Sequence, residues 1–162
     1  HDSSSVTYPV FTAIAAPEVQ NKLNGDFAII AGPYLQNLAT GGCELDYTLT
    51  FVSEKFISMV FFGVLDEGEK EIFAKIPLNI DVQTGAQLAL GDVLNLRDAD
   101  LLPVLRLLTK KDKVDFSKGI PESWYYNGTN FVFCQRSEIG EWLEATVAAS
   151  DLKKFLLKPE LF

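Results

Sequence analysis

Residues 43–82 limit the possible folds of this chain more than any other stretch, because they contain successive strand patterns. Over residues 43–54, apolar side chains alternate with polar ones, which is the period of an antiparallel strand with one buried and one solvated face. Residues 57–65 are almost entirely apolar, and Asp66-Glu67-Gly68 predicts a turn into a further strand at 71–82. The stretch therefore predicts an antiparallel meander.

The last of these strands opens a second unit, at residues 76–111. Gln83-Thr84-Gly85 predicts a tight turn, with glycine where a positive φ is needed. Asp98 or Asp100 is expected to cap a following helix, whose first turn holds Pro103. The unit predicts a strand, a turn, a short strand and then an amphipathic helix, whose apolar side is formed by Leu101, Leu102, Leu105 and Leu108.

The flanking segments supply further helices and strands. One helix is expected to begin at Pro17 and to be interrupted near Pro33, because proline removes a helical hydrogen bond. Ser150-Asp151 is expected to cap a short C-terminal helix, and the remaining strands are predicted at residues 6–11, 130–134 and 144–149. This grouping predicts an α+β fold with a mostly antiparallel sheet, helices packed on one face and room for two small lobes.

Charge and hydropathy exclude several classes of function. The 162 residues carry a net charge of -8, whereas nucleic-acid binding needs clustered Lys and Arg and docking on anionic lipid needs a basic surface. The apolar runs are far shorter than a membrane span. The chain begins HDSSSVTYPV, which predicts a mature chain whose leader has been removed.

The cysteines, Cys43 and Cys134, leave two alternatives open. A disulfide between them would close a long loop and stabilise the fold by about 4–5 kcal/mol. The alternative is a pair of unrelated buried thiols, since free cysteine is among the most buried residue types.

The aromatic run Trp124-Tyr125-Tyr126 is the best candidate for a recognition surface. Side chains alternate along an extended segment, so at least one of the rings should be exposed or cover a groove. The alternative is that all of them cap the edge of the core. Trp142 is a further aromatic candidate, and Asn127-Gly128 predicts the turn that follows the run.

The sequence offers little for catalysis, and no catalytic residue, metal site or cofactor is predicted. Its only histidine is His1, so a histidine base, a catalytic triad and a histidine zinc site are disfavoured. Glu138, Glu141 and Glu144 lie near Trp142 and could form a carboxylate pair of the glycosidase type, or be scattered surface residues. Asp81 is expected to hydrogen-bond turn amides rather than to act as a buried acid.

The order of three motifs resembles a family, the extracytoplasmic domain of RsiV-type anti-sigma factors, which also occurs beside some peptidoglycan deacetylase domains. The opening motif is VTYPVF followed by VQNKLN, the central one is NIDVQTG followed by LALGDVL, and the closing one is FVF followed by SEIG. The resemblance implies a single domain over residues 1–162, with lobes at 1–75 and 76–162, located in the periplasm or secreted from a bacterium.

The same resemblance implies a protein that binds and does not catalyse. Lysozyme-binding members carry a proline/tyrosine loop before the Glu-Ile pair, whereas here that loop reads Gln135-Arg136-Ser137. We therefore expect a non-enzymatic binding domain for an unidentified protein or cell-wall glycan ligand. The alternative is an accessory enzyme that processes cell-wall or other carbohydrate with the carboxylates near Trp142. The expected binding residues are Trp124, Tyr125, Tyr126, Arg136, Ser137, Glu138 and Trp142.

Overall fold

The computed structural model describes residues 4–14, 16–39, 41–66 and 71–162, in which the chain forms two β-sheets. His1, Glu67 and Gly68 lie outside the described residues. The first sheet contains, in this order, β1 (Ser5–Val6), β2 (Cys43–Val52), β3 (Phe56–Asp66), β4 (Glu71–Asp81) and β5 (Ala86–Gln87). The second contains β6 (Ser123–Tyr126), β7 (Asn130–Arg136) and β8 (Trp142–Ala148). The helices are α1 (Pro17–Asn37), α2 (Leu90–Val93) and α3 (Leu101–Leu108), with 3-10 turns at Phe116–Lys118, Ala149–Phe155 and Pro159–Leu161.

The predicted α+β class and the meander are confirmed. The strands β2, β3 and β4 pair antiparallel in sequence order, and β6, β7 and β8 do the same in the second sheet. Among the described strands, only the short β1 pairs parallel, with β2. The strands therefore belong to two sheets, and it is the placement of one against the other that creates the site.

Helix α1 covers one face of the first sheet. Its buried positions recur at the spacing of a helical stripe, and they pack on the residues of β3 that point to the same side. On the α1 side these residues are Val19, Leu23, Phe27, Ala31 and Tyr34, and on the β3 side Ile57, Met59 and Phe61. We call this side of the sheet the helix face, and the other side the cleft face.

A second core lies between the second sheet, α2, α3 and the C-terminal segment. It includes Phe56 from β3, so the two cores meet at one end of the first sheet. The predicted boundary between residues 75 and 76 falls inside β4, and the first sheet continues through β5. The members of this core are mostly leucine and aromatic side chains, among them Leu94, Leu101, Leu105, Trp124, Phe131, Phe133 and Phe155.

Buried polar side chains join the two sheets. Ser58 on β3 donates a hydrogen bond to Asn79 Oδ1 on β4 at 2.7 Å and accepts one from the backbone N–H of Tyr126 at 2.9 Å. Asn79 in turn donates to the carbonyl of Trp124 at 2.7 Å. Because these contacts satisfy backbone groups of β6, they fix that strand on the cleft face of the first sheet.

The predicted strand at residues 6–11 is wrong beyond Val6. The backbone N–H of Phe11 donates to Asn24 Oδ1 at 2.8 Å, and the Phe11 carbonyl accepts from Asn24 Nδ2 at 2.9 Å. These bonds tie Phe11 to α1, so its polar groups are not available for a sheet.

Two predictions about helices are also wrong. Helix α1 is not interrupted at Pro33 but continues to Asn37, whose side chain donates to the Pro33 carbonyl at 2.8 Å. The buried Tyr34 holds this last turn against the sheet. At the C-terminus, Ala149–Phe155 is a 3-10 helix, and the residue that precedes it is Ala148 rather than the predicted cap Ser150-Asp151.

Two turn predictions are confirmed, and the capping prediction in part. Asp81 Oδ1 accepts from the backbone N–H of Gln83 at 2.9 Å and Thr84 at 3.3 Å, and Gly85 has φ 67°. Asp100 occupies the N-cap position of α3 without a side-chain capping bond, while Asp98 accepts from the Asp100 N–H at 2.9 Å.

Candidate functional site

The second sheet covers only part of the cleft face and leaves an open cleft beside it. On neighbouring strands of the first sheet, Asp46 pairs with Phe62 and Phe62 with Lys75, while Val64 pairs with both Glu44 and Phe73. Directly paired residues point to the same face. The uncovered floor therefore carries two aromatic rings, one ammonium group and two carboxylates.

Two adjoining cavities occupy this region. One, of about 460 Å³, lies over the floor and is lined by residues of β1, β2, β3 and β4 together with Trp142. The other, of about 670 Å³, lies between Phe73, Lys113 and the stretch from Ile139 to Glu144. Because Phe73 and Trp142 line both, they are two parts of one concave surface. We call it the inter-sheet cleft and define it by Phe62, Phe73, Lys75, Trp142 and Glu144.

The cleft presents aromatic side chains to solvent. Phe62 is 44% exposed and Phe73 is 51% exposed, and both line the same cavity as Trp142. The indole Nε1 of Trp142 is buried and makes no hydrogen bond to any described residue. A buried donor without a partner is uncommon in folded proteins, so the Trp142 indole is an unusual feature of this cavity wall.

A polar cluster closes the inner end of the cleft. The ammonium of Lys75, whose side chain is 11% exposed, contacts Glu144 Oε1 and lies 5.6 Å from the ring centres of Phe62 and Tyr125. The hydroxyl of Tyr125 donates to the same oxygen at 2.9 Å. Both contacts fall on Oε1, so the other carboxylate oxygen faces away from this pair.

Burial controls the protonation of the groups beneath this cluster. Desolvation raises the pKa of the Cys134 thiol from 9.0 to about 12, with Lys75 opposing the rise and Glu144 adding to it. Burial, and then the hydrogen bond to Glu144, raises the pKa of the Tyr125 phenol. Both groups are therefore neutral at physiological pH, and neither is an activated nucleophile or base.

The disulfide alternative is wrong, and both cysteines are buried thiols. Cys43 lies on the helix face, where its Sγ contacts the Tyr34 carbonyl at 3.2 Å, whereas Cys134 lies on the side of the second sheet that faces the cleft. A thiol reacts as the thiolate, and access to both sulfurs is blocked. We expect a thiol reagent at pH 8 to label no cysteine in the native protein and two after denaturation. Labelling of Cys134 without unfolding would contradict this placement.

The raised pKa values predict a loss of stability in alkali. Burial raises the pKa of Cys134 and of the phenols of Tyr34, Tyr125 and Tyr126, so the native state keeps protons that the unfolded chain releases. The contribution of these groups to stability is therefore constant below about pH 9 and is lost as the pH rises toward their native pKa values. For Cys134 alone we expect a loss of about 3 kcal/mol at pH 11. Urea denaturation from pH 7 to 11 measures this loss, and the free energy of unfolding should fall less steeply with pH in Cys134→Ala.

The aromatic run divides between the core and the cleft. Trp124 and Tyr126 are 2% and 4% exposed, and each packs against Phe56 and Phe131. They support β6 from the core and offer no surface to a ligand. Tyr125 points the other way, toward Lys75 and Glu144, as the alternation of strand side chains requires.

The other predicted binding residues form the hairpin between β7 and β8. Ser137 donates its N–H to the Glu141 carbonyl at 2.8 Å, and Arg136 Nε donates to the Gly140 carbonyl at 3.3 Å. Glu138 is exposed and pairs with Lys118 at 3.7 Å. Arg136, Ser137 and Glu138 thus shape the hairpin, and only Trp142 of the originally predicted set, with Tyr125, reaches the cleft.

Phe62, Phe73 and Lys75 were missed from the sequence. In β4, Phe73 and Lys75 point to the same face of the strand, whereas Ile72 and Ala74 point to the other. An aromatic residue on the same face as a lysine could have predicted an exposed ring. Phe62 lies in a run of apolar residues, so the sequence does not show which face of the strand is buried. The approach of β8 to these residues depends on tertiary packing and has no local signal.

Two further observations concern the described part of the chain. No group of three or more His, Cys, Asp or Glu side chains within it is placed to hold a metal ion. No helix among residues 4–14, 16–39, 41–66 and 71–162 has the length and apolar character needed to cross a membrane.

Comparison with known proteins shows a fold similar to solved structures of the DUF3298 family. No protein-family model and no curated protein matches the sequence. Among solved structures, the fold is similar to that of a DUF3298 family protein from Pseudomonas aeruginosa PAO1 (TM-score 0.61, 14% identity, covering 90% of this chain and 83% of that one).

A second similar structure is a member of the same family from Bacteroides fragilis NCTC 9343. It has a TM-score of 0.54 and 15% identity, and the match covers 86% of this chain. This chain spans 66% of that protein's length. At these identities the similarity establishes the fold alone.

Proposed function

We propose that this protein is a non-enzymatic binding domain and that the inter-sheet cleft is its ligand-binding surface. The observation that carries the proposal is the pair of half-exposed rings, Phe62 and Phe73, which line one cavity together with Trp142. Exposed aromatic residues in a concave surface are typical of recognition sites, because they bury apolar area while their rigid rings lose little entropy.

The proposed location is extracytoplasmic, in the periplasm or secreted from a bacterium. Its support is the motif resemblance to the domain of RsiV-type anti-sigma factors. Cell-envelope components are therefore the class of ligand to search first, both proteins and glycans.

The alternative, a carbohydrate-processing accessory enzyme, has weaker support from the geometry. Glu138 pairs with Lys118, whereas Glu144 pairs with Lys75 and Tyr125. A glycosidase needs one protonated and one ionised carboxyl group facing each other across the scissile bond. In this arrangement Glu138 and Glu144 contact different cations.

A comparison of cleft variants tests the proposal. Wild-type protein, Phe73→Ala with Trp142→Ala, and the control Ile29→Ala, which alters a residue 75% exposed on α1, are immobilised and exposed to a bacterial envelope extract. We expect a ligand retained by the wild type and the control and reduced about tenfold or more by the cleft variant. Equal retention by all three would contradict the assignment of the cleft.

The enzymatic alternative has its own test. Robust glycan hydrolysis that disappears in Glu138→Gln and Glu141→Gln would overturn the non-enzymatic proposal. We expect no such hydrolysis, and we expect these variants to retain binding in part, because neither side chain contributes a ring to the cleft although Glu141 lines its larger cavity.

A further inference from the structure

Strand β8 has an open edge where it borders the inter-sheet cleft. The Glu141 carbonyl accepts from the Ser137 N–H, so the backbone polar groups of Glu141 point toward β7. At the other end, the Thr146 N–H points away from β7 and donates to Asp112 at 3.3 Å. Successive residues of a strand direct these groups to opposite sides. The N–H and C=O groups of Trp142 and Glu144 therefore point outward, in the same direction as the Thr146 N–H.

This edge is unpaired among the described residues. Only β7 pairs with β8, and the stretch from Ile139 to Glu144 lines the larger cavity. An exposed row of N–H and C=O groups is a template for an added strand. Because Asp112 already accepts a hydrogen bond from the Thr146 N–H, an added segment can pair with β8 only at its cleft end.

The charge of the cleft favours a basic ligand. Glu44 and Asp46 are exposed on the floor, and Glu141 and Glu144 line the larger cavity. Against these four carboxylates the two cavities present two ammonium groups, Lys75 and Lys113, and Lys75 is engaged by Glu144. The exposed rings of Phe62 and Phe73 can also accept a cation on their faces.

We propose that the cleft binds an extended peptide segment with basic residues at alternate positions, which adds as a strand to the outer edge of β8 at Trp142 and Glu144. The inference rests on the proposed function and names its ligand class. Residues of the segment that lie opposite Trp142 and Glu144 direct their side chains to the same face as these two, which is the cleft. Backbone bonds give affinity in this mode, and the alternate side chains give specificity.

The probe is the peptide acetyl-Lys-Val-Lys-Val-Lys-Val-amide, titrated into the folded domain by two-dimensional NMR. We expect saturable shifts at the amides of Trp142, Glu144 and Phe73, and slower hydrogen exchange at Trp142 and Glu144. N-methylation of the peptide at the alternate backbone nitrogens that face β8, which removes its donors to that strand, should weaken binding about tenfold or more. Replacing its lysines by aspartates should have at least as large an effect.

Variants of the floor separate charge from fold. Glu44→Gln with Asp46→Asn alters only exposed side chains and should weaken the lysine peptide about fivefold and reduce its salt dependence. Ile29→Ala, on the opposite side of the first sheet, should leave the affinity for the peptide and its salt dependence unchanged.

The outcomes distinguish this inference from the proposed function. No saturable binding of the lysine peptide, or equal binding of its N-methylated form, overturns strand addition. A chito-oligosaccharide that binds the cleft in a Trp142-dependent manner while the peptide does not would also overturn it, yet would support the cleft as a binding surface. Equal retention of every ligand by the wild type, the cleft variant and the control in the envelope-extract comparison would instead remove the proposed function itself.

Discussion

Gly63→Ala is expected to lower the free energy of unfolding by about 3 kcal/mol, because the new methyl group meets a buried ring. A Cβ at Gly63 would lie 2.0 Å from the Tyr34 hydroxyl oxygen and 2.4 Å from Cζ of the same ring. Tyr34 is 4% exposed between α1 and the helix face, so it has little room to move. Thermal and urea unfolding of the variant measure the loss.

A matched substitution and a double mutant control this prediction. Gly25→Ala introduces the same methyl group on the exposed side of α1, where nothing lies within 4 Å, and should stabilise the protein by about 0.5–1 kcal/mol. Tyr34→Leu shortens the obstructing side chain, so Gly63→Ala should cost much less in that background. A full, additive cost in the double mutant would refute the close contact.

Asn79→Ala should lower the free energy of unfolding by a comparable amount, because it removes buried hydrogen bonds that join the two sheets. The substitution leaves the Ser58 hydroxyl without its acceptor and the Trp124 carbonyl without its donor, and both groups are buried. Each unsatisfied buried polar group costs about 1–3 kcal/mol, so we expect a total of about 3–4 kcal/mol in urea denaturation. The exposed Asn21→Ala is the control and should change stability by less than about 0.5 kcal/mol.

The hydrogen bonds between the sheets also give a readout beyond stability. Because Asn79 and Ser58 hold β6 on the cleft face, their loss should perturb the NMR signals of Tyr125 and Trp142 more than those of α1. Ser58→Ala should perturb the same signals, and its cost should not add to that of Asn79→Ala, since the two side chains bond to each other. A strictly additive pair would contradict the network.

Local patterns in the sequence were sufficient for most of the first sheet. The alternation in residues 43–54 and the length of the two following runs predicted β2, β3 and β4 to within a few residues, because one face of each strand must be buried. The prediction failed at residues 6–11, where an internal asparagine, Asn24, takes the polar groups of Phe11 that a strand would have used.

The site itself was only partly predictable. Alternation implied that one ring of Trp124-Tyr125-Tyr126 would point away from the others, and Tyr125 does, but no local rule says which side is the core. Trp142 was a predicted site candidate and lines the cleft, yet Phe62 and Phe73, which line it too, come from strands about 70–80 residues earlier in the chain. Only the packing of the second sheet on the first brings Trp142 close to Phe62 and Phe73.

Site-specific photo-crosslinking measures most directly whether the inter-sheet cleft is where this domain meets its ligand. A benzophenone side chain is placed at Phe73 in one protein and at Ile29, on the far side of the first sheet, in another; both sites are more than half exposed. After irradiation in an envelope extract, we expect a discrete adduct from position 73, which excess untagged domain suppresses, and no adduct from position 29. Adducts of equal yield from both positions, or from position 29 alone, would contradict the assignment of the cleft as the binding surface.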